Sequence, residues 1–185
     1  MKRFGRLVVA IGAITLFAHG TPAEGRTVPF SAFAPTRALE TRYVYAGGAA
    51  QRQAIERAVE DVVSEMLPLI RSVARKRLLE SNGILESLEF SLSGDPLALK
   101  YIGDRIIEAP RSGKAVPWKD ENGDPVRVSL RLQGTTLVQQ LSDNRGSRRN
   151  TYVFGPDGKL TMHVRIESSM MPKPLEYSLT YKKAA

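Results

Sequence analysis

Three stretches in the second half of the chain alternate apolar and polar residues with a period of two. Val126, Val128, Leu130 and Leu132 alternate with Arg127, Ser129, Arg131 and Gln133. Leu160, Met162, Val164 and Ile166 alternate with Thr161, His163, Arg165 and Glu167. Leu175, Tyr177, Leu179 and Tyr181 alternate with Glu176, Ser178, Thr180 and Lys182. Successive side chains on a strand point to opposite faces, so each run predicts a strand with one oily and one wet row. Three oily rows in one region require a shared core. Leu88, Phe90 and Leu92 repeat the pattern, and shorter strands are predicted at 41–46, 97–101, 105–108, 114–118, 135–141 and 150–154. Asn122-Gly123 and Gly155-Pro156-Asp157-Gly158 read as hairpin turns.

One segment changes period. Between residues 49 and 80, Ile55, Val59, Val62, Met66, Leu69/Ile70 and Val73 recur at steps of three and four, the stripe of an amphipathic helix. Pro68 lies inside it. Proline has no N–H to bond back to Ser64, so a kink or a break into two helices is expected there. Asn82-Gly83 stops the segment. Residues 142–149, which include Arg145-Gly146-Ser147-Arg148-Arg149, read as a polar loop with a basic patch.

Element order predicts a mostly β domain with one helical segment. Eight or nine short strands follow the helix, one precedes it, and most connections are of hairpin length. An up-and-down antiparallel barrel or half-barrel, with the kinked helix packed at its mouth, is the economical solution because closure removes edge strands. Residues 41–183 form this single domain, preceded by an extended tether at 24–40. Residues 1–23 read as a secretory signal: Lys2, Arg3 and Arg6 precede an apolar run of roughly a dozen residues, too short to span a bilayer. The formal charge is +8; loss of those three cations and no acid leaves +5. There is no cysteine, hence no disulfide and no lipoprotein attachment. A periplasmic or secreted bacterial protein is expected, with no nucleic-acid partner.

The order short strand, helical segment, strand meander and final Tyr-containing strand resembles the calycin group, and most closely the fatty-acid-binding proteins and lipocalins. The resemblance spans about residues 41–183. It rests on hairpin rhythm and on local features: Gly113, Asn122-Gly123 before a strand, Leu137-Val138-Gln139, Asp157-Gly158-Lys159-Leu160 and Tyr181. It implies a barrel enclosing a small hydrophobic molecule. Where the intracellular family closes with Arg-x-Tyr, which clamps a lipid carboxylate, this chain has Leu179-Thr180-Tyr181; the tyrosine matches and the arginine does not. The lipocalin Gly-x-Trp near the first strand is also absent.

Candidate chemistry narrows this picture. His163 is the one histidine outside the leader and lies on a polar row, so neither a histidine-rich metal site nor a serine–histidine triad is indicated. No Gly-rich phosphate loop precedes a helix. Acids such as Glu86, Glu89, Glu108 and Glu167 occupy wet positions. The apolar interior is the remaining candidate, with Phe90, Tyr101, Trp118, Leu130, Leu132, Met162, Val164, Tyr177 and Tyr181 lining a cavity. The expected function is non-enzymatic binding of a fatty acid or other lipid, without cofactor or metal, with peripheral contact to an anionic envelope surface through the basic patch or the helix. The alternative is a solid-core barrel acting as an envelope scaffold: the sequence reports which residues are buried and not whether the helix fills the barrel.

Overall fold

The computed structural model describes residues 39–102, 105–120 and 123–185. The predicted leader and most of the tether therefore lie outside the described residues. Ten strands form one antiparallel sheet: β1 (Thr41–Tyr45), β2 (Ser87–Ser91), β3 (Leu97–Ile102), β4 (Arg105–Ala109), β5 (Val116–Lys119), β6 (Pro125–Gln133), β7 (Thr136–Ser142), β8 (Gly146–Phe154), β9 (Lys159–Ser168) and β10 (Leu175–Lys183). The spatial order is β4-β3-β2-β1-β10-β9-β8-β7-β6-β5. The sheet curls into a nearly closed barrel. Its two halves join where β1 pairs with β10, Tyr45 opposite Tyr181.

The barrel is not hydrogen-bonded all the way round. β4 and β5 are its two edges. Arg105 of β4 reaches across this seam: its guanidinium lies 4.3 Å from the Trp118 ring and donates to the Lys119 carbonyl. Asn122 lies outside the described residues; beside it Gly123 has φ 85°, and Asp120 Oδ1 accepts from the Asp124 N–H at 2.8 Å.

The predicted helix is two helices. Gly48, at φ 65°, turns the chain out of β1 into α1 (Gly48–Ser64). Pro68 then forces a break, occupied by a short 3-10 turn (Pro68–Ile70), before α2 (Arg71–Ser81). β1 covers only the last residues of β10, and α1 packs against the rest of that strand, burying Ile55, Val59, Val62 and Val63. Gln51 fixes its first turns: its amide donates to Thr180 Oγ1 and accepts from the Thr180 N–H, each at 2.9 Å. Near its other end, Lys173 bridges to Asp61 at 2.7 Å and Glu65 at 2.8 Å. Arg75 of α2 forks onto Glu60 of α1 at 2.6 and 2.8 Å.

Two sequence expectations are corrected. The apolar stripe does not run through the break: Leu69 is 92% and Val73 48% exposed. The turn at Pro68 resets the rotation of α2, so Ile70, Ala74 and Leu78 lean on the core instead. The expected loop at 142–149 is mostly strand. Asp143 Oδ1 accepts from the N–H groups of Arg145 and Gly146, tightening the turn so that β8 starts at Gly146. Arg148 consequently faces the interior.

Candidate functional site

Register stacks the interior side chains of β6–β10 in layers. One layer is Leu132, Leu137, Tyr152, Met162 and Leu179. The next is Leu130, Gln139, Asn150, Val164 and Tyr177, and the one beyond is Val128, Leu141, Arg148, Ile166 and Leu175. Aromatic rings pack beside the first layer. Phe90 meets Tyr152 and Phe154 edge-on at 5.3 Å and Tyr43 at 5.9 Å. Burial of Tyr43 pushes its hydroxyl pKa up.

The other two layers hold a polar cluster. Arg148 is 2% exposed. Its Nε donates to Asn150 Oδ1 at 3.0 Å, one terminal nitrogen to Asn82 Oδ1 at 3.2 Å and the other to the Tyr177 hydroxyl at 3.1 Å. Tyr177 in turn donates to Asn82 Oδ1 at 3.0 Å. Asn150 Nδ2 and the Tyr152 hydroxyl both donate to Gln139 Oε1, at 2.7 and 2.9 Å. Gln139 is fully buried, and its Nε2 has no hydrogen-bond partner among the described residues. An amide donor left so costs about 1–3 kcal/mol. Arg148 and the Gln139 carboxamide thus bring hydrogen-bond donors into an otherwise oily barrel, the chemistry with which acceptor-rich groups pair.

The structure gathers most of the sequence-predicted cavity residues. Phe90, Leu130, Met162, Val164, Tyr177 and Tyr181 are buried in the interior. Leu132 and Trp118 are partly buried against the same core, Trp118 at the seam. The side chain of Tyr101 lies outside the described residues. Of these, Tyr177 belongs to the polar cluster's hydrogen bonds. Gln139, Arg148, Asn150 and Asn82 were not among the predicted residues. Parity carried a signal for three of them: Gln139 is in phase with Leu137 and Leu141, and Arg148 and Asn150 with Tyr152.

The outer face differs in kind. A trough of about 470 Å³ over β8–β10 is lined by Arg149, Thr151, His163, Arg165, Glu176 and Ser178. His163 is exposed there, as its parity predicts, with Nδ1 2.8 Å from Ser178 Oγ. Arg165 is tied to Glu167 and Glu176. Among the described residues there is no group of three or more metal-ligating side chains, and no helix is long and apolar enough to cross a membrane.

Barrel, helix pair and strand order together define a calycin-like fold. One solved structure agrees with that. The fatty-acid-binding protein in brain tissue of Drosophila melanogaster shares it at 15% identity, TM-score 0.50, covering 78% of this chain and 98% of that one. Further similar structures are a fatty-acid-binding protein of Echinococcus granulosus, at 12% identity, TM-score 0.48, with 78% of this chain and 96% of that one covered. A Schistosoma mansoni fatty-acid-binding protein in complex with arachidonic acid is 12% identical, TM-score 0.47, covering 80% and 96%. No protein-family model and no curated protein sequence matches the chain.

Proposed function

We propose that this chain is an exported, non-enzymatic carrier of a small hydrophobic acid, a fatty acid or chemically similar lipid, held inside the barrel. The observation that carries this reading is the buried cluster of Arg148, Asn150 and Gln139, with the Gln139 Nε2 donor unanswered among the described residues. The acid group accepts from Arg148 and Gln139. The tail takes the oily interior, gaining about 0.8 kcal/mol per methylene removed from water. Arg148 on β8 thus supplies the cation that β10, with Leu179-Thr180-Tyr181, does not. The likeness in fold to a protein described as fatty-acid-binding supports the same reading. Native mass spectrometry of the purified chain, before and after incubation with oleate, tests it. A bound mass that is lost on denaturing supports the carrier; an unchanged bare mass overturns it.

A second reading has its own observation. At the tip of the helix pair Leu67 is 73% and Leu69 92% exposed, and α2 carries Arg71, Arg75, Lys76 and Arg77 against Glu80. Exposed leucines rimmed by cations suit peripheral contact with an anionic envelope surface. Flotation with vesicles containing phosphatidylglycerol, compared with Leu67→Ser/Leu69→Ser, tests that contact. Equal recovery of both proteins would rule it out.

A further inference from the structure

Asn82 is the C-cap of α2, yet its side chain does two jobs at once. Its Nδ2 holds the end of the helix, donating to the Leu78 carbonyl at 2.8 Å and to Ser81 Oγ at 3.2 Å. Its Oδ1 points the other way, into the barrel, and accepts from both Arg148 and Tyr177. The residue is 2% exposed, although it terminates a helix whose one other buried residue is Ser81. One carboxamide therefore ties the helix pair to the interior cluster.

We propose that Asn82 is a gate. Its Oδ1 occupies the acceptor position between Arg148 and Tyr177 that one oxygen of a ligand's acid group takes, so the ligand binds by evicting the helix cap. This rests on the carrier reading above and adds a regulation to it. The chemistry favours exchange: an ionised oxygen accepts from a guanidinium more strongly than a neutral amide oxygen does. Eviction removes the hold on the end of α2. Because Arg75 links α2 to Glu60, the loosening passes to the α1 end that Lys173 latches. Occupancy and the position of the helix pair are thereby coupled through one residue. The ligand's apparent affinity carries the cost of opening.

The test uses the purified chain, oleate, and two variants. Asn82→Ala removes the competing acceptor and should tighten oleate binding about tenfold, toward the lower part of the usual range for coupled sites. Asn82→Asp has nearly the same shape but places a carboxylate beside Arg148, and should weaken binding by about tenfold or more. In the unaltered chain oleate should speed amide hydrogen exchange in residues 71–82 while slowing it in β8 and β10. Oleate bound with equal affinity by all three proteins, or with α2 protected, overturns the gate and leaves the carrier standing. Oleate bound by none of them, Asn82→Ala included, overturns both.

Discussion

Replacement of Phe90 by alanine decides whether this barrel is solid at the level of its aromatic rings. Phe90 is fully buried and lies edge-on to Tyr152, Phe154 and Tyr43 at 5.3–5.9 Å. Burying such a side chain stabilises by about 1.5–3 kcal/mol through transfer from water. Each well-oriented ring pair adds about 0.5–1.5 kcal/mol. The sum is bounded by what Phe-to-Ala changes in packed cores cost, about 3–5 kcal/mol, since neighbours relax partly into the space. We therefore expect Phe90→Ala to lose about 4 kcal/mol, a large share of the 5–15 kcal/mol typical of a whole domain. Phe90→Leu should lose about half as much. Urea unfolding followed by far-UV circular dichroism measures both, with an unchanged m-value as the sign that one cooperative transition persists. A loss below about 1.5 kcal/mol for the alanine variant would mean the ring faces open volume, and the reasoning from packed rings would fail.

Other outcomes follow from the same contacts. Arg148→Met should weaken oleate binding at least about tenfold, about 1.4 kcal/mol, while the far-UV spectrum is retained; unaltered affinity would remove Arg148 from the site. Arg105→Ala removes the cation over Trp118, the chain's one tryptophan, and should cost about 0.5–1 kcal/mol and shift tryptophan emission. An unchanged emission maximum would show that the seam is not held there. The hydrogen bond from Arg75 holds the Glu60 carboxyl below its ordinary value of 4.5. A depressed carboxyl stabilises the fold above its unfolded value, and the contribution is lost as pH falls through the folded one. Hydrogen exchange in α2 should therefore accelerate, after correction for intrinsic rates, as the pH is taken from neutral to well below 4.5; Glu60→Gln should abolish that response.

The strands were legible because their environment is two-sided. Where one face is oil and the other water, parity is written directly into the residues, as in β6, β9 and β10. The helix break was legible for a covalent reason, the missing N–H of Pro68. What came after it was not: rotation of α2 depends on how residues 67–70 turn, so Leu69 and Val73 were placed on the wrong side. The polar cluster was hidden by the habit that makes sequence reading work. Arg148 is flanked by Ser147 and Arg149, close to a loop, and a cation there reads as solvated. Its phase with Tyr152 is the one signal in the strand itself, and the register with Leu141 and Ile166 shows it pointing inward. Asn82 was read as a stop signal for the helix, which it is; nothing local tells that its other atom reaches a residue on β8.

The placement of β10 has a consequence for the order in which the protein is made. β10 is the last strand in sequence, yet it sits mid-sheet, between β1 and β9. Until a ribosome has released it, the four-strand segment at the front and the five-strand meander behind it have no strand to join them, and α1 has no wall to lie on. Pairings this distant in sequence close late. A nascent chain of this design cannot close its sheet until residues 175–183 have emerged.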